Sequence, residues 1–151
     1  MGNTRIEILL IEDNPHEAQL TIRALRKQGL ADNLLHIDDS VEALEFLSGT
    51  GKYQGQETVK YLKLILLDLK LPKIDGVEIL RQIKTSERTK MIPTTILTSS
   101  CEEKDLLNCY KYGANSYIVK PVEFDLFSKA VGDAGLYWMK WNVSYVTGLE
   151  N

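Results

Sequence analysis

Four places in this 151-residue chain set a polar side chain directly after a run of mostly aliphatic residues: Glu12-Asp13 after ILLI, Asp68 after LILL, Thr98 after TTIL, and Lys120 after SYIV. If these runs are parallel strands of one sheet, their polar ends share an edge. A carboxylate at the end of a buried strand is costly unless it is paired or metal-bound. At an effective dielectric near 20, two carboxylates about 5 Å apart repel by about 3 kcal/mol, so three of them require a cation. Oxygen donors of this kind suit Mg2+, which keeps several waters and accepts a phosphate oxygen. Taken singly, each residue has a plainer role: Asp13 or Asn14 as a helix cap, Thr98 as a strand end, Lys120 as a solvated cation. Their joint occurrence at successive run ends argues for a site.

The elements that must position these groups are legible as five strand-length runs, Ile6 to Ile11, Leu34 to Ile37, Leu64 to Leu67, Thr94 to Thr98 and Ser116 to Val119. The first and third are nearly all aliphatic rather than alternating, the pattern of a parallel strand covered on both faces. Helices are expected between them. Asn14-Pro15 with Glu17 predicts a helix start, with Leu20, Ile22 and Leu25 before a stop at Gly29. A second runs from Ser40 with Val41, Leu44, Phe46 and Leu47 to Gly49, and a third spans Gly76 to Lys84 with Val77, Leu80 and Ile83 on one face. Ser99 or Ser100 is predicted to cap a fourth, carrying Glu102 and Glu103 in its first turn and closing at Gly113. The fifth follows Pro121, with Phe124, Phe127, Val131, Ala134, Trp138 and Trp141 at helical spacing and a bend predicted at Gly132 and Gly135. The segment GTGKYQGQETVK (49 to 60) has no apolar period and is predicted to be a surface loop. The alternation is (βα)5, an α/β doubly wound parallel five-stranded sheet with an extended C-terminal helix, in which ligands bind at the carboxyl ends of the strands.

Length and composition set the limits. With 44% apolar and 26% charged residues the chain is an ordinary globular domain, expected to span residues 1–151 with a core from about 5 to 140 and a short tail from 141. The net charge of −3 offers no cation excess for phosphate backbones, so nucleic acid is disfavoured as a partner. No apolar run reaches a membrane span and no signal peptide opens the chain, so no membrane association and a cytoplasmic location are expected. Met1-Gly2 lacks the Ser/Thr that myristoylation wants, since Ile6 stands there. Cys101 and Cys109 form no C-x-x-C pair and are expected to be reduced packing residues. His16 and His36 are lone histidines without metal-ligand companions.

The ordered set LLIEDN (9 to 14), LILLDLKLPKIDG (64 to 76), ILTSS (96 to 100) and YIVKP (117 to 121) resembles the receiver domain of two-component response regulators along nearly the whole chain. The resemblance implies the flavodoxin-like receiver fold, with Asp68 as phosphoacceptor and Glu12 and Asp13 as the acidic pair that binds Mg2+. It further implies a metal contact from the backbone carbonyl of Lys70, Thr98 as the hydroxyl switch residue, Lys120 as the phosphoryl-contacting lysine, and Tyr117 as the aromatic that changes rotamer. Lys120-Pro121 is expected to be a cis peptide, a bond only proline makes cheap. Lys70, Ser99 and Ser100 occupy positions that tune loss of the phosphoryl group in this family. The segments DLKLPKIDG, IPTTILTSS and YIVKPVEFDLF, with the extra loop before the third strand and the terminal aromatics, look most like the phytochrome-linked single-domain regulators. Those accept a phosphoryl group from a light-sensing histidine kinase and tend to dimerise through their C-terminal face.

The implied partners are therefore a sensor histidine kinase and, for output, either a separate protein or a second copy docking through the C-terminal helix face. No output domain is expected within the 151 residues, and no activity as an enzyme beyond self-phosphorylation and dephosphorylation. Three rivals are weaker. A haloacid-dehalogenase-type phosphatase wants a second aspartate where Lys70 stands. A flavodoxin-like carrier would not place EDNPHE beside an anionic cofactor. A receiver-like scaffold that is never phosphorylated would not need the full residue set.

Overall fold

The computed structural model describes residues 5–145, so the chain start and the last part of the predicted tail, 146–151, lie outside the described residues. Five parallel strands, β1 (Ile8–Ile11), β2 (Leu34–Ile37), β3 (Leu64–Leu67), β4 (Thr94–Thr98) and β5 (Ser116–Val119), form one sheet in the order β2-β1-β3-β4-β5. β1 and β3 are buried throughout because both faces of the sheet are covered. The two-residue period splits them cleanly. Leu9, Ile11, Ile65, Leu67 and Ile96 pack against α2 (Ser40–Ser48), α3 (Gly76–Thr85) and α4 (Glu103–Lys111). Ile8, Leu10, Leu64, Leu66 and Leu97 pack against α1 (Pro15–Lys27) and α5 (Phe124–Leu136).

Local signals account for most helix ends. Asn14 caps α1, its side-chain oxygen accepting the Glu17 amide at 3.0 Å with Pro15 in the first turn, and Gly29 follows at φ 72°. Asp39 caps α2 by accepting from Val41 and Glu42, and Gly49 closes it in the left-handed region. Val41, one of the apolar residues this helix carries, is 42% exposed.

Three expectations need correction. Neither Ser99 nor Ser100 caps α4, which starts three residues later. The Ser100 hydroxyl is engaged elsewhere, donating to the Asp105 carboxylate at 2.5 Å and accepting from the Glu102 amide at 3.3 Å. Gly132 and Gly135 mark close packing of α5 on α1 rather than a bend. A Cβ on Gly135 would stand 2.6 Å from Leu25 Cδ2 and 3.0 Å from Leu30 Cδ1, so any larger residue would have to displace those side-chain ends. The irregularity comes just after, where Tyr137–Trp141 form a π turn closed by Asn142 N–H donating to the Tyr137 carbonyl at 2.7 Å. The predicted stripe is only partly realised: Phe127, Val131 and Trp138 face the core, while Phe124 at the start of α5 and Trp141 at the end of the π turn are exposed. The third correction is Cys101, which is exposed rather than packed; Cys109 is buried, and both are free thiols.

The loop before β3 is a surface loop, held by a 3-10 turn at Gly51–Tyr53 and by Tyr53, whose ring meets Phe46 edge-on at 5.2 Å. Among the described residues no helix is long and apolar enough to cross a membrane.

Candidate phosphoacceptor and metal site

Register brings the four polar strand ends together. Ile11 pairs with Leu67, so Glu12 is level with Asp68. Leu67 pairs with Ile96, which sets Thr98 one residue beyond Asp68, and Thr98 pairs with Val119, just ahead of Lys120. One carboxylate oxygen from each of Glu12, Asp13 and Asp68 lies within 4.8 Å of the others. Glu12 and Asp68 are 2% and 7% exposed.

Among the described residues a single ammonium serves this cluster. Lys120, its side chain 6% exposed, donates to Glu12 Oε1 at 2.8 Å, makes an ion pair with Glu17, and stands 3.6 Å from Asp68 Oδ2. The second oxygen of Glu12 accepts the Asn14 amide at 3.2 Å, and Asp68 Oδ1 accepts the Lys70 amide at 3.4 Å. Burial pushes the Glu12 carboxyl up to about 7; the Lys120 hydrogen bond opposes this and the Asp68 charge adds to it. Burial disfavours the Lys120 ammonium too, but the bonds to Glu12 and Glu17 outweigh it and hold the group above its ordinary range. The crowding of three carboxylates around one cation, with Glu12 driven toward protonation, is the condition a bound divalent cation would relieve. The donor set, all hard oxygens, fits such an ion.

The loop geometry behind Asp68 depends on Gly76. Its amide donates to the Leu69 carbonyl at 3.0 Å, and a Cβ there would stand 2.4 Å from the Asp68 carbonyl oxygen and 2.5 Å from Leu69 Cα. Any side chain would push the Asp68 backbone out of line. Thr98 is fully buried, its Oγ1 accepting the Ser100 amide at 3.2 Å, and the half-buried Tyr117 donates its hydroxyl proton to the Ser100 carbonyl at 2.9 Å. Both residues therefore bear on the same loop. The Lys120–Pro121 bond is not cis: no cis peptide occurs among the described residues. The two isomers of an X-Pro bond differ by only about 0.5–1 kcal/mol, so the surrounding loop decides the isomer and the dipeptide alone does not.

Glu17, expected from the sequence only as a helix-start residue, is a partner of Lys120. The available signal was its position one turn after Asp13, on the helix that begins beside the site. A cleft of about 600 Å³ opens next to Lys120, lined by His16, Glu17, Leu20, Pro121, Phe124 and Phe127 among others. His16 is exposed on α1, whereas the His36 ring lies 2.7 Å from the Glu12 carbonyl oxygen and so helps hold β1 and β2 in place beneath the site.

A parallel sheet of this order with acidic groups clustered at its carboxyl edge defines a class, and residues 8–132 match the response regulator receiver domain: the chain belongs to that family. Among characterised relatives it is 39% identical to the probable methanogenesis regulatory protein FilR2 of Methanothrix harundinacea, over 91% of this chain and 86% of that one. It is 33% identical to response regulator Rcp1 of Synechocystis, over 88% of each. The Mn2+-bound form of Rcp1 superimposes with a TM-score of 0.84 at 32% identity, covering 92% of this chain and 98% of that one. The phosphorylated cyanobacterial phytochrome response regulator RcpA gives the same score at 30% identity, covering 93% and 99%. The fold and the phytochrome-type resemblance are thus borne out, and the phosphatase reading is disfavoured.

Proposed function

We propose that Asp68 accepts a phosphoryl group from a partner histidine kinase and that the modified surface is read by another protein. The observation that carries this is the convergence of Glu12, Asp13 and Asp68 within 4.8 Å around Lys120, in a chain of the receiver family. An oxygen of the Asp68 carboxylate attacks phosphorus, the bond from phosphorus to the donor histidine nitrogen breaks, and the electron pair returns to the imidazole. Lys120, 3.6 Å away, neutralises charge building on the phosphoryl oxygens. Glu12, Asp13, Asp68 and the Lys70 carbonyl would hold Mg2+, which supplies charge neutralisation and orients the phosphoryl oxygens when bound. The Mn2+-bound form of the relative Rcp1 supports a divalent ion in this role.

Once Asp68 is modified, Thr98 exchanges its bond from the Ser100 amide for one donated to the new anion. A bond to a charged group contributes roughly 1.5–3 kcal/mol, short of the roughly 5.5 kcal/mol that swings an equilibrium from 1:99 to 99:1. Lys120 and the Ser100 loop supply the rest, and Tyr117, bonded to the Ser100 carbonyl, follows that loop.

The phosphodonor enters by the cleft beside Lys120, and relatives named for phytochromes support a light-sensing kinase as its source. Exposed Leu107, Tyr110 and Val119 on α4 and β5, with Tyr137 and Trp141 beyond α5, support output by protein contact, including a homodimer through the C-terminal helix face. Acetyl phosphate with Mg2+ should add the mass of one phosphoryl group, and chelation should abolish the addition. Beryllofluoride with Mg2+ should raise the apparent size in sizing chromatography. Full modification in the presence of chelator would reject the metal role, and an unchanged size would reject dimerisation.

A further inference from the structure

Asp105, in the first turn of α4, is 8% exposed and takes no part in the chemistry above. It binds both loops that flank the acceptor. Its Oδ2 accepts the Ser100 hydroxyl at 2.5 Å from the loop after β4, and the same oxygen lies 3.6 Å from the ammonium of Lys70, two residues after Asp68 in the loop following β3. Glu102 stands 3.9 Å from that ammonium and is itself exposed, so Asp105 is the buried anchor of the pair. Both loops leave the carboxyl edge of the sheet, and the Lys70 side chain therefore bridges along that edge, from the acceptor loop to α4.

We propose that Asp105 is a positioning residue that sets the lifetime of the phosphorylated state by tethering the Lys70 side chain across the mouth of the site. The inference rests on Asp68 being the acceptor. In hydrolysis a water oxygen attacks phosphorus, the bond between phosphorus and the Asp68 oxygen breaks, the electron pair returns to the carboxylate, and phosphate leaves with the proton passing to solvent. A tethered Lys70 stem obstructs the water, whereas an untethered lysine at an exposed position is drawn into bulk solvent. Ser100, bonded to the same carboxylate, keeps the Asp105 side chain turned toward the site.

The test is the decay of the acyl phosphate after removal of acetyl phosphate, in the presence of Mg2+, for wild type, Asp105→Asn, Lys70→Met and the double variant. Asp105→Asn should shorten the half-life about fivefold, the size of one partly exposed ion pair, with Lys70→Met giving the same shortening and the double variant no more. Asp105→Glu should restore most of the wild-type lifetime. A half-life unchanged in Lys70→Met, a surface substitution that leaves the fold intact, would overturn the proposal. So would a full additional loss from Asp105→Asn in the Lys70→Met background, which marks a structural role unrelated to the tether. Phosphoryl uptake that persists in Asp68→Asn would instead overturn the acceptor assignment itself, a separate failure read in the same experiment.

Discussion

At the amino end of β4 and β5 the Lys84 ammonium meets three acceptors, the carbonyls of Lys90 at 3.2 Å and Ile92 at 2.9 Å and Asn115 Oδ1 at 2.9 Å, one for each of its protons. At the carboxyl end of the sheet the ratio is inverted, with Glu12, Glu17 and Asp68 sharing the Lys120 ammonium and Asp13 beside them. The same strands thus terminate in a satisfied polar network at one end and an excess of negative charge at the other. Where polar groups close on one another the chain is building its fold. Where they are left in excess, charge is crowded in a way that an incoming cation would relieve.

The largest effect should come from the residue that holds the frustrated end in shape. Gly76→Ala places a methyl against the Asp68 carbonyl and Leu69 Cα, backbone atoms that cannot step aside. It should cost roughly 1–3 kcal/mol in urea unfolding and also suppress phosphoryl uptake. At the satisfied end, Lys84→Met removes the Lys84 bond to the Lys90 carbonyl and leaves the Ile92 carbonyl with the Thr94 hydroxyl at 3.1 Å, and should cost a similar roughly 1–3 kcal/mol, with phosphoryl uptake intact. Asp68→Asn should move the other way, stabilising the metal-free protein by on the order of 1 kcal/mol by relieving Coulomb repulsion, a gain that shrinks when Mg2+ is added. Destabilisation of the metal-free form by Asp68→Asn would break the contrast between the two ends.

Acid and base should separate the ends more finely. Glu12 is raised from 4.5 to about 7 by burial, so its favourable contribution is present below about 4.5 and lost as pH rises through 7. Burial pushes the Lys84 ammonium down from 10.5 to about 8, even though its three acceptors favour the charge. Its favourable contribution is therefore present above about 10.5 and lost as pH falls through 8. In metal-free buffer, the stability of wild type relative to Glu12→Gln should fall between pH 5 and 7, and relative to Lys84→Met it should rise between pH 8 and 10. Slopes of equal sign would contradict the reading that burial penalises the charged form of both groups.

Most of the fold was legible because it depends on local patterns. The aliphatic runs at Leu64 and Ile8 announced buried parallel strands, and Asn14-Pro15 and Gly49 announced helix ends. The cluster of Glu12, Asp13, Asp68 and Lys120 was legible because the order of strand ends fixes which residues share an edge. Contacts that depend on where one side chain meets another across the fold were not. The bond from Lys120 to Glu17 spans 103 positions, and the tight fit at Gly135 arises from the proximity of Leu25 and Leu30, more than a hundred positions earlier. The displaced start of α4 is local instead: the Ser100 hydroxyl binds the Asp105 carboxylate five residues on, a choice of partner that TSSCEE does not reveal.

The central claim, that Asp68 at the crowded edge is the acceptor, is tested most directly by trapping the product. Treating the acetyl phosphate-modified protein with borohydride reduces an aspartyl phosphate to homoserine, and tandem mass spectrometry then locates it in the peptide LILLDLK. The account predicts homoserine at position 68 and nowhere else, with none formed in Asp68→Asn; reduction at Glu12, Asp13 or any other carboxylate would contradict it.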